Sequence, residues 1–435
     1  MTDPAIDGGD VWRYLDTLAL GPPTPRKRTL DRMRGLVEAL GQPQRTFPSI
    51  HITGTNGKGS TVAYAAALLA ASGLRVGTYT SPHLHNITER VRIDGRPVDA
   101  DRMADAVARV VKAAPAGVDH SWFELVTASA FVLLAEADVD IAVIEVGALG
   151  RFDATNVIDA DIAVVTNIEI DHAERAGPTR AHIAAEKSGI VRPGATLVLG
   201  EPDPSLDEIW AAARPGHVLR IGDDYGSRSR SRTPAGTYVD VWTPWGRRHG
   251  VPIGAAGAYQ CSNAATALAA VDACLVMRQG SAVVRSAIES AFANTRVGGR
   301  WDLVGRTPTV IVDGAHNPAG AAALAGTVDE ELADTRPRVL VVGVRGHRAP
   351  AGLLSALRPE RFDHIVCTQP PAGDALPAGD VAAALPEGAS AVHVESDWLR
   401  AVVRARDLAG PTGAVLVTGS LYLVGAVHGA LTAQD

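Results

Sequence analysis

The 435-residue chain predicts a doubly wound α/β fold, and three observations predict it. Short β-branched runs alternate with Ala-rich helical stretches, the rhythm of parallel sheets covered by helices. Two of the runs, 140–146 and 162–166, are almost continuously apolar, as expected of strands buried on both faces. The rhythm also restarts near residue 300. A chain of this length exceeds one ordinary core, so two domains are expected. Gly298–Gly299 is the best boundary, giving a first domain of 1–297 and a smaller one of 298–435.

The elements follow in order. Residues 51–52 close a short strand, and 59–72 read as a helix. A strand at 75–80, a helix at 100–113 and a helix at 123–137 come next, the last turning Phe123, Val126 and Phe131 to one side. The two apolar strands complete this half. In the second half 309–313 is a strand, 319–332 a helix, and 338–344, 363–367 and 414–418 are strands. Between the halves, 227–233 spells S-R-S-R-S-R-T between Gly226 and Pro234. It reads as a solvated loop between strands, with an anion-binding patch as the alternative.

Composition excludes several classes. Apolar residues make up 46% and charged residues 20%, which is ordinary globular usage. Lys and Arg number 41 against 48 Asp and Glu, so the basic excess of a nucleic-acid protein is missing. An anionic small molecule stays open, since a local site can oppose the global charge. Cys261, Cys274 and Cys367 form no C-x-x-C pair and suit neither zinc nor a disulfide framework. They point to a reducing compartment, hence the cytoplasm. Asp3, Asp7 and Asp10 stand where a signal peptide would need apolar residues. The stretch 127–150 is interrupted by Glu136, Asp138, Asp140 and Glu145, so no membrane span is expected.

The strongest local signal is G-T-N-G-K-G-S, Gly54 to Ser60, followed by Thr61. It lies where a strand ends and a helix begins. Glycines let backbone N–H groups turn towards phosphate oxygens, and the helix N-terminus favours their charge. Lys58 can reach the outer phosphates of a nucleotide, and Ser60 or Thr61 can serve magnesium or phosphate. The spacing is shorter than the usual G-x-x-x-x-G-K-[ST]. A tight turn that binds nothing is the plainer reading, but a lysine and two hydroxyls at this offset favour a nucleotide. Glu145 ends one apolar strand, and His172 follows the next in N-I-E-I-D-H. A carboxylate and an imidazole at strand ends can bind magnesium beside a triphosphate.

With its neighbours the loop resembles the nucleotide loop of the Mur-ligase superfamily, in the folylpolyglutamate synthase/dihydrofolate synthase branch. The match runs from about residue 12 to the C-terminus. It takes in Tyr14-Leu15-Asp16, S-P-H-L from Ser81, Glu89-Arg90-Val91, S-W-F-E from Ser121, A-E-K-S-G-I around Lys187, and D-G-A-H-N-P from Asp313. The resemblance implies a P-loop ATPase domain with a mostly parallel sheet and a smaller Rossmann-like C-terminal domain. It implies ATP and two magnesium ions, one on Ser81 and Glu145, the other on Glu145 and His172. Lys187 matches a lysine that the family carbamylates. Asn56, Gly57, Lys58, Gly59, Ser60 and Thr61 would hold the phosphates, Asn263 would face adenine, and Arg300 and Asp313 would complete the ATP site. His316 would lie near the transferred phosphate or the incoming amine. Trp122, Phe123, Glu124, Phe152, Asp153 and Ala154 would lie near the pterin, although Phe123 and Glu124 also suit packing and capping at a helix start.

Two stretches depart most from the family, beside a mild change at Ala176, where a leucine is usual. The loop from Gly147 reads G-A-L-G-R, where Ala148-Leu149 displace a glycine that would favour positive φ. After 338–344 the chain has R-G-H-R-A-P, where an acid-lysine-acid run is usual. The expected activity is addition of L-glutamate to folates, with dihydropteroate as an additional acceptor, by a cytoplasmic monomer acting on small molecules. An amide ligase with a different acid or amine is one alternative. A nucleotide-binding module without turnover is the other, and the joint presence of Lys58, Glu145, His172 and Lys187 speaks against it.

Overall fold

The structure is a computed structural model that describes residues 8–20, 28–171, 173–233, 236–346, 350–389 and 391–432. The chain forms two compact units. The first runs to residue 253 and takes in 261–295; the second comprises 254–260 and everything from 296.

The strands of the first unit are β1 (Ser49–Thr53), β2 (Val76–Tyr79), β3 (Val91–Ile93), β4 (Arg96–Pro97), β5 (Ile141–Glu145), β6 (Ile162–Val165), β7 (Thr196–Leu199), β8 (His217–Arg220), β9 (Gly226–Thr233), β10 (Gly236–Thr243) and β11 (Gly246–Ile253). Its helices are α1 (Gly8–Leu20), α2 (Asp31–Ala39), α3 (Lys58–Ala71), α4 (Ala100–Ala113), α5 (Trp122–Glu136), α6 (Ala173–Ala176), α7 (Arg180–Lys187) and α8 (Asp207–Ala212), with most of α9 (Ala258–Gln279) and all of α10 (Arg285–Asn294).

Eight strands form one sheet in the order β4-β3-β2-β5-β1-β6-β7-β8. From β2 to β8 every pairing is parallel, and β3 and β4 add an antiparallel edge. The central strands are buried on both faces, as their apolar runs require. Ile50, Ile52, Val143 and Val164 pack with Leu68 of α3 and Leu268 of α9. On the opposite face Ala142 and Ile144 meet Phe131 of α5, while Ala163 and Leu197 meet Ile183 of α7 and Trp210 of α8. Helix α9 is long and apolar enough to cross a bilayer, but most of it is buried in this core.

One expectation is corrected. Residues 227–233 belong to strand β9, which pairs antiparallel with β10 in a three-stranded sheet. Serine and arginine alternate with the two-residue period of a strand. The apolar face of that sheet comes from Val239, Val241 and Val251 instead. Composition therefore shows a polar loop where backbone pairing makes a strand.

In the second unit β12 (Asp302–Arg306), β13 (Thr309–Val312), β14 (Arg338–Val342), β15 (His364–Cys367), β16 (Ala391–Val394) and β17 (Ala414–Thr418) form a sheet in the order β12-β13-β17-β14-β15-β16. All its pairings are parallel except β12 with β13. Its helices are α11 (Pro318–Glu331), α12 (Pro350–Ala356), α13 (Ala378–Ala383), α14 (Trp398–Ala409) and α15 (Leu421–Thr432). Asn317 caps α11, accepting from Gly320 N at 2.8 Å, with Pro318 in the first turn.

Candidate active site

In an open parallel sheet, ligands gather beyond the carboxyl ends of the strands where the winding reverses. Here that place is flanked by β5, β1 and β6. Gly54 follows β1, Ser81 follows β2, Glu145 ends β5, and Thr166 and Asn167 follow β6.

The phosphate loop is built by close approach. Gly57, the N-cap of α3, has φ +83°, and a Cβ there would fall within the Asn263 side-chain amide. The structure thus brings Asn263 against the loop. Thr61, fully buried, donates from Oγ1 to Gly57 O at 2.9 Å, and Ser60 beside it is also buried. Asn56 is held by the exit of β6: its N–H donates to Asn167 Oδ1 at 2.9 Å, and its carbonyl accepts from Thr166 Oγ1 at 2.6 Å and Asn167 Nδ2 at 3.1 Å. Thr55 N–H donates to Asn167 O at 3.0 Å. Sequence reasoning passes over Thr166 and Asn167; the only signal is their place directly after an apolar strand.

Two lysines meet on one carbonyl. Lys58, half-buried, donates to Gly54 O and Thr55 O, each at 3.1 Å. Lys187, the last residue of α7, is 3% exposed and donates to Gly54 O at 2.6 Å. Burial pushes its pKa well below the usual lysine range, and the Lys58 charge pushes it further, against the pull of Asp171 and Asp153.

Glu145 and Ser81 stand together. Ser81 N–H donates to Glu145 Oε2 at 3.0 Å, whereas Ser81 Oγ is buried with no hydrogen-bond partner among the described residues. A Cβ on Gly59 would lie 3.6 Å from Glu145 Oε2, so the start of α3 reaches the same carboxylate. An orphaned hydroxyl beside a buried carboxylate fits a hard divalent cation, which takes oxygen ligands and keeps water or phosphate in its other positions. Among the described residues no three His, Cys, Asp or Glu side chains cluster as metal ligands, so protein groups would supply only part of the coordination. His172 lies outside the described residues.

The residues expected near the acid substrate divide into two kinds. Trp122 and Phe123 open α5 half-buried, with the Arg90 guanidinium 4.7 Å from the Trp122 ring centroid. A Cβ on Gly147 would strike the Phe123 ring, so this aromatic covers the loop after β5. Phe152 is 41% exposed beneath the Arg28 guanidinium. Glu124 and Asp153 instead have clear internal duties. Glu124 forms the capping box of α5 with Ser121 and accepts from Arg32 Nε at 3.1 Å. Asp153 braces its loop, accepting from Ala148 N at 2.9 Å and from Thr155 N and Oγ1 at 3.0 and 2.6 Å. Burial raises the Asp153 pKa, and these hydrogen bonds oppose the rise. Thr155 Oγ1 in turn accepts from His51 Nε2 at 2.9 Å; burial holds His51 neutral, with its pKa lowered to about 3. Ala154 is buried beside them.

Within the second unit Asp313 follows β13 and is buried. It accepts from Trp301 N at 2.8 Å, Ala315 N at 2.9 Å and the Tyr259 hydroxyl at 3.3 Å. Burial raises its pKa, and the Arg300 charge opposes that most strongly. Arg300 packs on Gly314, and His316 Nδ1 donates to Gly314 O at 2.7 Å. Arg300, Asp313 and His316 thus form one cluster around Gly314.

Two family models match the chain: Mur ligase middle domain over residues 52–271, and Mur ligase, glutamate ligase domain over 299–421. The chain is 34% identical to the dihydrofolate synthase/folylpolyglutamate synthase of Mycobacterium tuberculosis, over 94% of this chain and 91% of that one. Among solved structures, M. tuberculosis folylpolyglutamate synthase complexed with ADP superposes with a TM-score of 0.89 at 33% identity, covering 98% of this chain and 99% of the other. The bifunctional folylpolyglutamate synthase/dihydrofolate synthase of Yersinia pestis, complexed with AMPPNP and Mn ion, gives 0.86 at 30% identity, covering 99% and 100%.

Proposed function

The chain belongs to the folylpolyglutamate synthase/dihydrofolate synthase branch of the Mur ligase family, and on that premise we propose that it adds L-glutamate to folates and to dihydropteroate. It is an ATP-dependent ligase that works with a divalent cation. The observation that carries the chemistry is the meeting of Lys58 and Lys187 on Gly54 O, in a loop whose Gly59 lies against Glu145.

A carboxylate does not condense with an amine unaided, because its oxygen is a poor leaving group. A carboxylate oxygen attacks the γ-phosphorus, the bond to the β-phosphate oxygen breaks, and ADP and an acyl phosphate result. The amine then attacks the acyl carbon, phosphate leaves, and the amine's proton passes to solvent. Lys58 sets a positive charge at the loop and neutralises charge developing on the transferred group. Ser60 and Thr61 open α3 beneath the phosphates, and Asn263 fixes the nucleotide against Gly57. Ser81 and Glu145 would hold one cation, and Glu145 with His172 a second; when bound, the cation screens the triphosphate's negative charge.

Lys187 takes up CO2 as a carbamate. Its depressed pKa favours the neutral amine, whose nitrogen bonds the carbon of CO2 as one N–H proton passes to solvent, leaving an anion next to Lys58. Trp122, Phe123, Phe152 and Ala154 form the apolar side of the acid site, with Glu124 and Asp153 holding its frame. Arg300, Asp313 and His316 supply the nucleotide and amine contacts of the second unit. Three free, buried cysteines suit a cytoplasmic enzyme.

The test is ADP release with a panel of acids and amines, with product mass followed alongside. Amide products of folate or dihydropteroate with glutamate are expected. If neither acid yields an amide while another acid does, the substrate assignment is wrong and a different amide ligase takes its place.

A further inference from the structure

β6 and β7 are parallel neighbours, and the segments that leave them meet. Past Asn167, whose carbonyl still accepts from Thr55 N–H at 3.0 Å, the chain leaves the sheet, yet its backbone is fixed residue by residue. Ile168 is gripped on both its N–H and its carbonyl by one ion pair. Its N–H donates to Glu201 Oε2 at 2.8 Å, and its carbonyl accepts from Arg180 Nε at 2.9 Å. The ring closes where Arg180 Nη2 meets Glu201 Oε1 at 2.8 Å; Arg180 Nη1 donates to Asp203 at 2.5 Å. Glu201 is only 3% exposed. The next residue, Glu169, is held in the same manner from the phosphate loop, its N–H donating to Thr55 Oγ1 at 3.0 Å and its carbonyl accepting from that hydroxyl at 3.1 Å.

The clamp belongs to a larger brace. Arg180 is the first residue of α7 and Lys187 the last. One end of this short helix therefore ties down Ile168, while the other bonds Gly54 of the phosphate loop. A planar guanidinium suits the task, since its fork reaches a carbonyl and two carboxylates at once. A buried carboxylate opposite it keeps the fork from turning to solvent.

We propose that Arg180 and Glu201 are positioning residues for the divalent-cation site. They set the peptide of Ile168, and so the path of the segment as far as Asp171, whose charge acts on Lys187 beside the phosphate loop. Neither touches the reacting atoms. The inference rests on the reading of His172 as a cation ligand, and the experiment separates the two.

Mn2+ binding to the full-length protein with ADP is followed by the electron paramagnetic resonance of free Mn2+, for wild type, Arg180→Gln, Arg180→Lys, Glu201→Gln and His172→Ala. ADP affinity is also measured in EDTA, and each variant's melting temperature is recorded. Loss of a group that orients a ligand typically costs about 10- to 100-fold in metal affinity, and that loss is expected in Arg180→Gln and Glu201→Gln. Metal-free ADP affinity should stay within about twofold, and Arg180→Lys should fall between, keeping the charge but losing the fork. If Glu201→Gln does not fold, the two Arg180 variants carry the test. Unchanged Mn2+ affinity in folded Arg180→Gln overturns the proposal. So does an equal loss of metal-free ADP binding, which would make the clamp a plain brace of the loop. If His172→Ala binds Mn2+ normally while Arg180→Gln does not, the His172 assignment fails and the clamp stands, acting through another group of the segment.

Discussion

Gly57→Ala tests whether the loop at the start of α3 is built around its bare backbone. Gly57 has φ +83°, a left-handed conformation that costs an L-residue about 1–2 kcal/mol. Its new Cβ would fall within the Asn263 amide, and crowding of this kind costs about 1–3 kcal/mol in a packed setting. The sum is about 2–5 kcal/mol against the nucleotide-ready loop. At about 1.4 kcal/mol per decade, ADP should bind at least about 30-fold more weakly. Calorimetric titration of ADP at fixed magnesium measures this directly. Asn263→Ala in the same chain removes the collision and leaves the backbone strain. The double mutant should therefore recover about 1–3 kcal/mol relative to the sum of the single effects. Binding by Gly57→Ala within about threefold of wild type would refute the strain argument, because even its lower bound exceeds that change. Additive effects in the cycle would show that Asn263 is not what crowds the position.

Lys58→Ala should abolish ADP formation while the thermal melt stays close to wild type, since Lys58 is half-buried and bonds loop carbonyls; wild-type turnover in the purified variant would end the phosphate-loop assignment. Glu145→Gln should raise the magnesium needed for half-maximal ADP release by about 10- to 100-fold, with much of the rate returning at saturating metal; an unchanged magnesium titration would exclude Glu145 as a ligand. Lys187 predicts a pH effect in CO2-free buffer. Folding holds its pKa well below the free value of 10.5, so between the two values the unfolded chain binds the extra proton, and stability climbs as pH rises through that window. Lys187→Met should flatten the climb, and bicarbonate should add the mass of one CO2 to the wild type alone. Equal slopes in the two proteins would mean that the buried ammonium is not strained.

The residues proposed to meet the nucleotide are ones that a loop motif or a strand end marks in the sequence. Gly54–Thr61 announces itself by glycine, lysine and hydroxyl spacing, and Glu145 by closing an apolar run. Thr166, Asn167, Arg180 and Glu201 carry no such mark. They act on backbone groups, and their partners depend on β1 lying beside β6 and β6 beside β7. Asn56 and Asn167 are 111 residues apart in the chain, so only the sheet order brings them together. The same limit explains β9: pairing with β10 makes it a strand, and its own serines and arginines record nothing of the valines that β10 buries.

The loop after β5 shows how a leucine can occupy a backbone conformation that favours glycine. Leu149 stands where a displaced glycine suggested lost freedom, yet it has φ +62°. A leucine held there costs about 1–2 kcal/mol in backbone strain. It is also 4% exposed, and burying such a side chain returns about 1.5–3 kcal/mol. Its carbonyl accepts from Thr53 Oγ1 at 2.5 Å, while Asp153 braces Ala148 and Thr155 nearby. The strain is thus offset by packing, and the loop keeps a turn that glycine would make freely. Ala148-Leu149 therefore makes a positive-φ turn with a buried leucine in place of a glycine. We expect any shift in acid preference to act through groups exposed beside it, such as Phe152, while Thr166 and Asn167 hold the phosphate loop from the β6 side.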